Sequence, residues 1–325
     1  MLSTDATIKR VGINLPTGRL RSLRARRAVE TAVAGSLVLA ATFSVLTSFA
    51  IIFVLFGESV RFFGFEEIRV SEFLFGLEWN PFLGAEKHFG IWPLISGTVM
   101  IAAVSAVFSL PLGLITAVYL SEYAPKRLRS FLKPVLEVLA GIPTVVYGFL
   151  ALTLFTPAAQ SIAKMLTGEQ IFESYNIFAA GLAVGIMCLP IVTSLSEDAL
   201  QAVPRSLREG AYAMGSTKFD VSMKVVVPAA LSGVVAAYLL AIARAVGETM
   251  IVALAAGGLA QLTINPAQPS QTMTAYMVQV FLGDAGYGTP EYYSTYAVGA
   301  TLFVMTLALT LIGGRVLKKY REVYE

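Results

Sequence analysis

One arginine and one glutamate stand four residues apart inside a long apolar stretch of the sequence. The stretch is AYLLAIARAVGETMIVALAAG, and the two charges are Arg244 and Glu248. Each charge costs about 2.5–3.5 kcal/mol on insertion into lipid, so a residue of this kind is a candidate functional residue. On a continuous helix the pair would share one face, and a guanidinium offers paired donors to an oxyanion. The pair therefore predicts an anion-binding charge in a membrane passage.

The composition places these charges in a membrane protein. The 325 residues are 56% hydrophobic and only 14% charged, and the mean hydropathy is +0.71. A helix that crosses the roughly 30 Å hydrocarbon core needs about 20 apolar residues. Six segments are long enough, which predicts an all-α integral membrane protein with six transmembrane helices. These segments are 31–56, 91–120, 132–156, 177–196, 229–256 and 295–314.

The orientation follows from the basic residues, because cytoplasmic loops are rich in Lys and Arg. Four alternate segments, 1–30, 121–133, 197–228 and 315–325, carry 7, 4, 4 and 4 of the 24 basic residues. The other side carries Arg61, Arg69, Lys87 and Lys164. Both termini are therefore predicted to be cytoplasmic tails, with an external loop at 57–90 and a membrane core at 91–314. The small positive net charge gives no reason to expect nucleic acid.

Several other kinds of chemistry have no support in the sequence. Cys188, the single cysteine, lies in the fourth span and has no intrachain partner, and His88 has no ligand-spaced companions. We expect neither a metal site nor catalytic residues. The aromatic residues of loop 57–90 indicate either a membrane-interface belt or a docking surface. Segment 273–282 predicts a short helix at the external mouth, and its depth in the membrane stays open.

The loop 197–228 reads as two short helices around a glycine turn. Gly215 suits a left-handed position after a helix end, and Thr217 can cap the next helix. On the first helix Leu207, Ala211 and Met214 fall on one apolar stripe. Such a stripe needs cover, either from a partner protein or from this protein's own membrane helices.

The spacing within this loop resembles the cytoplasmic signature of ABC-type import permeases. The matching positions are Glu209, Gly210, Ala211, Gly215, Val225, Val227 and Pro228. The resemblance implies a type I ABC importer permease whose loop fits a groove on a separate ATPase. No phosphate-binding G-x-x-x-x-G-K-[ST] loop occurs in the chain. We therefore expect no cofactor in this chain, with ATP and Mg bound by the partner, and no enzymatic activity of its own.

Two further stretches resemble the phosphate-uptake permeases within that family. They are SEYAPKRLRSFLKPVLEVLAGIPTVVYGFLAL at 121–152 and ARAVGETMIVALAAG at 243–257, and Met250-Ile251-Val252 is similar to the C-type chain. The resemblance implies inorganic phosphate as substrate and a lipid-embedded, multi-pass subunit in a bacterial inner membrane. It also implies three partners: a second, A-type permease, an ATPase dimer and an external phosphate-binding protein. Arg244, Glu248 and Thr249 would line the pathway.

Three roles are open for Glu248. It could hold Arg244 in position between cycles, accept the proton that phosphate carries, or form a buried ion pair that locks neighbouring helices. Glu137, four residues after Lys133, is expected to form an interfacial pair with that lysine, and a gating role is the alternative.

Three rival functions are compatible with parts of the sequence. The chain could import another oxyanion such as molybdate or sulfate. It could be an ion-coupled secondary transporter that uses Arg244 and Glu248 as a proton relay. It could also be a scaffold that transports nothing. The loop 205–228 favours the importer, because an ion-coupled carrier needs no ATPase docking surface.

The basic-residue count makes a prediction about topology. A reporter fused after Glu325, and labels placed in 197–228, should be cytoplasmic, whereas labels in 57–90 and 257–294 should be external. Accessibility to a membrane-impermeant thiol reagent at introduced cysteines measures this. An external C-terminus would contradict the six-span arrangement.

Overall fold

Long apolar helices make up most of the chain in the computed structural model, which describes residues 23–82 and 87–320. Helix α1, Leu23–Phe62, contains the predicted first span and starts inside the predicted tail 1–30. Residues 1–22 of that tail, and 321–325 at the other end, lie outside the described residues. The chain divides into two units between Val54 and Leu55.

After α1 the loop 57–90, which is predicted to be external, forms short elements. Helix α2 is Val70–Phe75, and strands β1, Trp79–Asn80, and β2, His88–Phe89, pair antiparallel. Trp79 lies opposite Phe89 in this pair. A single two-residue strand pair contributes little stability on its own, so packing of its aromatic side chains must hold the loop.

The predicted second span is confirmed, and the predicted third span is wrong in its bounds. Helix α3, Trp92–Val118, continues into a π-helical turn, Tyr119–Tyr123. Helix α4, Lys126–Ala140, follows as a separate amphipathic helix with no buried residue. The prediction 132–156 joined it to the next helix, but Pro143 disfavours a helical conformation at the residue before it. The chain therefore breaks at 141–143.

The third and fourth spans follow that break. Helix α5, Thr144–Leu150, a π-helical turn, Ala151–Phe155, and helix α6, Thr156–Thr167, together form the third span. Helix α7, Ile177–Ala202, is the fourth. Asn176 caps α7, since its Oδ1 accepts a hydrogen bond from the Ala179 backbone N–H at 2.7 Å.

The segment 205–229 consists of short helices around a turn. Helix α8, Arg205–Ala213, ends before Gly215, whose φ of +84° confirms the predicted left-handed position. Thr217 Oγ1 accepts the Asp220 N–H at 3.2 Å, which confirms the predicted cap. Three elements follow this cap in order. They are α9, Lys218–Asp220, a π-helical turn, Val221–Val226, and α10, Val227–Ala229.

The fifth span is broken, whereas the sequence predicted a continuous stretch over 229–256. Helix α11, Leu231–Val246, is bent by 69° from the preceding helix 218–229. Helix α12, Met250–Ala255, begins only after a three-residue interruption. Within the described residues, five helices are long and apolar enough to cross a membrane, or six with this bent pair.

The chain ends with a short buried helix and the sixth span. Helix α13, Met273–Gln279, confirms the predicted short helix and is followed by a π-helical turn, Val280–Asp284. Helix α14 is Pro290–Tyr320. The aromatic side chains of the external loop pack against these elements: Trp79 lies edge-on to Tyr276 with ring centroids 4.9 Å apart. The loop aromatics thus form a small core, and Phe62, Phe73 and Trp79 are buried in it.

Helices α3 and α7 pack along their lengths and form the centre of the membrane core. Small residues allow this approach. A Cβ on Gly113 would lie 2.5 Å from Val192 Cγ1, and one on Gly181 would lie 2.6 Å from Val104 Cγ1. Helices in lipid associate through such close packing, because lipid tails leave little hydrophobic driving force between them.

A half-buried arginine, Arg208, joins α8 to the ends of two spans. Arg208 Nη1 donates to the Val203 carbonyl at 2.6 Å, and Nη2 donates to the Leu200 carbonyl at 2.7 Å. The same Nη2 lies 3.0 Å from Glu122 Oε1, and the two side chains are 17% and 8% exposed. The guanidinium thus satisfies carbonyls at the end of α7 and neutralises a carboxylate beside α3.

Removing this guanidinium should destabilise the protein. Arg208→Met leaves the Glu122 carboxylate buried without its partner, at a cost of about 3–5 kcal/mol. The double variant with Glu122→Leu should recover most of the loss. The exposed neighbour Arg205→Met serves as the control and should change stability by less than about 0.5 kcal/mol. Thermal unfolding in detergent is the measurement, and an unchanged Arg208→Met would contradict the clamp.

Candidate functional site

Arg244 lies in the last turn of α11, with its side chain exposed at the surface of the chain. Its Nη2 lies 3.9 Å from Met187 Sδ on α7, a weak contact. Among the ion pairs of residues 23–82 and 87–320, none joins Arg244 to a carboxylate. The guanidinium is thus free to meet an anion from outside this chain.

Glu248 does not pair with Arg244, and the prediction of one continuous helix is wrong. Helix α11 ends at Val246, and Glu248 lies in the interruption before α12. Its carboxylate is buried, and Oε1 accepts the backbone N–H groups of Met250 at 3.1 Å and Ile251 at 3.2 Å. The Glu248 side chain therefore caps α12 from the residue before the N-cap Thr249, and α11 stops before Gly247.

The neighbouring threonines complete the interruption. Thr274 Oγ1, from the start of α13, donates to the Glu248 carbonyl at 2.6 Å. Thr249 Oγ1 donates to the Gly247 carbonyl at 3.3 Å. Sequence reasoning missed Thr274, because it lies 26 residues away from Glu248 and only the fold brings it near. No local pattern in the sequence indicates this contact.

Residues that precede and follow Arg244 in the sequence line two cavities. One cavity, of about 330 Å³, is lined by Leu240, Ile191, Leu195 and Glu137 among others. The other, of about 340 Å³, is lined by Met250 together with other residues of α12 and α13. Leu240 precedes Arg244 by one turn of α11, and Met250 follows the helix break. Arg244 carries the one guanidinium of α11.

Glu137 lines the same cavity as Leu240 and does not pair with Lys133, contrary to the expectation. Lys133 Nζ instead donates to Asp198 at 2.9 Å, and this hydrogen bond raises the pKa of Lys133. Arg129 Nε lies 2.5 Å from Glu197, which is 1% exposed. These bonds fix α4 to the end of α7. No local pattern in the sequence indicates these bonds, because the partners are more than 60 residues apart.

The apolar stripe on helix α8 is partly buried against this chain and partly exposed. Leu207 and Ala211 pack in a cluster with Val221 and Val226 of this chain, and Ala211 is 4% exposed. This is the alternative in which the protein's own helices cover the stripe. Met214 is 83% exposed, and the other predicted docking positions, Glu209, Gly210, Gly215 and Pro228, are also exposed. Tyr212 and Phe219, which the stripe did not include, are exposed beside them.

Proteins named as transport permeases are similar to this sequence over most of its length. The Bacillus subtilis (strain 168) "Probable ABC transporter permease protein YqgH" is 33% identical, over 90% of this chain and 93% of that protein. The "Phosphate transport system permease protein PstC" of Xylella fastidiosa is 31% identical, over 76% of this chain and 78% of that protein.

Solved structures share the fold. The structure titled "Crystal structure of bacterial alginate ABC transporter in complex with alginate pentasaccharide-bound periplasmic protein" aligns with a TM-score of 0.65 at 12% identity. The alignment covers 91% of this chain and 97% of that one. The all-helical, type I ABC importer fold is thus confirmed. Residues 109–322 match the family described as "Binding-protein-dependent transport system inner membrane component", and the chain belongs to that family.

Proposed function

We propose that the chain is the permease subunit of an ATP-driven importer of inorganic phosphate and supplies half of its translocation pathway. The exposed Arg244 guanidinium, one helical turn after Leu240 and the cavity that Leu240 lines, carries the proposal. Relatives named as phosphate transport permeases support the choice of phosphate. An anion that leaves water needs a compensating charge, and a guanidinium supplies it with paired donors.

The rest of the transport complex follows from the same proposal. A second, A-type permease covers the face that contains Arg244, and an external phosphate-binding protein delivers the ion. An ATPase dimer, which binds ATP and Mg, sits against α8 on the cytoplasmic side, where both termini also lie. This subunit has no catalytic role. Its coupling surface consists of the exposed Tyr212 and Met214.

The geometry disfavours an ion-coupled carrier. A proton relay between Arg244 and Glu248 requires the two side chains to meet, but Glu248 Oε1 is engaged by two backbone N–H groups of α12. Locking of helices by a buried pair is disfavoured for the same reason. Glu248 therefore acts on the pathway by fixing the helix break next to Arg244.

Replacing Arg244 tests whether its charge serves the translocation pathway or only the stability of the protein. Arg244→Met should assemble normally and lose phosphate uptake by roughly tenfold or more, because the entering anion has lost its compensating charge. Arg244→Lys should retain part of the uptake. Leu240→Met, one turn away on the same face, is the matched control. Uptake of radiolabelled phosphate into proteoliposomes, with and without excess sulfate or molybdate, is the measurement.

Variants of Glu248 provide the second half of this test. Glu248→Gln keeps an oxygen for the two N–H groups and should assemble and transport, whereas Glu248→Leu should cost about 0.5–2 kcal/mol of stability. Near-normal uptake by Arg244→Met would refute the pathway role. Loss of uptake in a stable Glu248→Gln would assign the carboxylate a role beyond the cap. Competition by sulfate or molybdate would redirect the proposal to another oxyanion.

The coupling surface makes a separate prediction. Met214→Asp should abolish co-purification of the ATPase, or weaken it roughly tenfold or more, because a charge replaces an apolar anchor in the contact. Ser206→Asp places the same charge on α8 away from this surface and should leave the contact intact. Ala211→Asp, in contrast, should destabilise the chain itself, since Ala211 is buried. Normal ATPase binding and uptake in Met214→Asp would contradict the assignment.

A further inference from the structure

A third cavity, apolar in most of its lining, lies at the end of α3 that is predicted to be cytoplasmic, and it shares no lining residue with the other two. Its volume is about 390 Å³, and Leu114 and Val118 of α3 form one wall, while Phe219 and Met223 form the other. Ser222 also lines it, but its hydroxyl already donates to the Lys218 carbonyl at 2.8 Å. Apart from two tyrosines at one end, the lining therefore offers no hydrogen-bonding group.

Both walls of this cleft contain a π-helical turn. On one side it is Tyr119–Tyr123, directly after α3, and on the other it is Val221–Val226. Such turns are rare and occur frequently at functional sites. Apolar side chains along the cleft are uncovered: Ile115 is 66% and Phe219 64% exposed.

The cation of Lys218 lies at one end of the cleft. The pattern of basic residues predicts that this end faces the cytoplasm. Lys218 Nζ lies 4.8 Å from the centroid of the Tyr123 ring, which also lines the cavity. The neighbouring carboxylates are engaged elsewhere: Glu122 pairs with Arg208, and Asp220 pairs with Lys224. Within the described part of the chain, no carboxylate forms an ion pair with Lys218.

We propose that this cleft binds one anionic phospholipid of the cytoplasmic leaflet. An acyl chain lies between the apolar walls, and the headgroup phosphate meets Lys218 and the Tyr123 hydroxyl. From Leu114 to Tyr123 the helix rises about 13 Å, close to the roughly 15 Å half-thickness of the hydrocarbon core. Tyrosine rings and lysine side chains at the membrane boundary suit this arrangement.

A lipid fits this cleft better than a protein partner does. A partner helix in this cleft would need apolar side chains, because the walls offer them no hydrogen bonds. Lys218 would then lie beside an apolar contact, which is unfavourable for a charged group. Val107, two turns before Ile115 on α3, is 71% exposed, so the apolar exposure continues toward the middle of the membrane. The cleft combines apolar walls with one cation, Lys218. An acyl chain matches the apolar walls, and a phosphate headgroup matches the cation.

Native mass spectrometry of the assembled complex tests the proposal. The complex is titrated with phosphatidylglycerol or with phosphatidylcholine of the same chain length. We expect one phosphatidylglycerol per copy of this chain to bind first. Lys218→Gln should weaken that binding about fivefold, as expected for one lysine at an anionic surface. Met223→Trp should fill the cleft and reduce binding of both lipids.

Two controls make the outcome decisive. Lys224→Gln removes a neighbouring lysine that is paired with Asp220, and it should bind phosphatidylglycerol as the unaltered protein does. A photo-crosslinking residue at Ile115, activated in vesicles of phosphatidylethanolamine and phosphatidylglycerol, should give an adduct of one phospholipid. Equal binding by Lys218→Gln would overturn the proposal, and so would an adduct with another subunit of the complex.

Discussion

A break in a membrane helix must satisfy its backbone hydrogen bonds from within the protein, because lipid offers none. At Gly247–Thr249 the carboxylate of Glu248 accepts two N–H groups of α12, and Thr274 donates to the Glu248 carbonyl. These contacts satisfy the backbone groups at the interruption, which begins at Gly247 directly after α11 ends. The interruption leaves Arg244 in the last turn of its helix, and no carboxylate of the described residues forms an ion pair with it. The position of the proposed anion-binding charge therefore depends on the cap beside it.

The same constraint explains the buried position of α13. Thr274 reaches Glu248 only because α13 is held against the membrane core, where the Met273 N–H donates to Thr98 Oγ1 of α3 at 3.1 Å. On its outer side, Tyr276 exchanges a hydrogen bond of 2.6 Å with Ser294 and packs against Trp79. The aromatic core of the external loop thus supports α13, and α13 in turn supports the helix break.

The sequence predicts those features that depend on local pattern. Apolar length gave the membrane class and most spans, and Gly215 and Thr217 gave the turn and the cap of the loop. The sequence-based prediction was wrong where composition is ambiguous. Because α4 has an apolar face, the prediction joined part of it to the next span across Pro143. Spacing alone placed Glu248 on the face of Arg244, since a helix stop at Gly247 has no strong signal within an apolar run. Contacts such as those of Arg208 and Glu197 join distant segments, and no local pattern contains them.

Those distant contacts also define how α8 is connected to the pathway. Arg208 holds α8 to the carbonyls of Leu200 and Val203 at the end of α7 and to Glu122 after α3. Helix α8 cannot move relative to α7 without breaking these bonds, and buried charges make that costly. A force applied at the exposed Met214 is therefore carried to α7 as a whole. Helix α7 also contributes Met187, which contacts Arg244, and Ile191, which lines the cavity beside Leu240. The helix that anchors the proposed coupling surface is therefore the one that borders the proposed anion site.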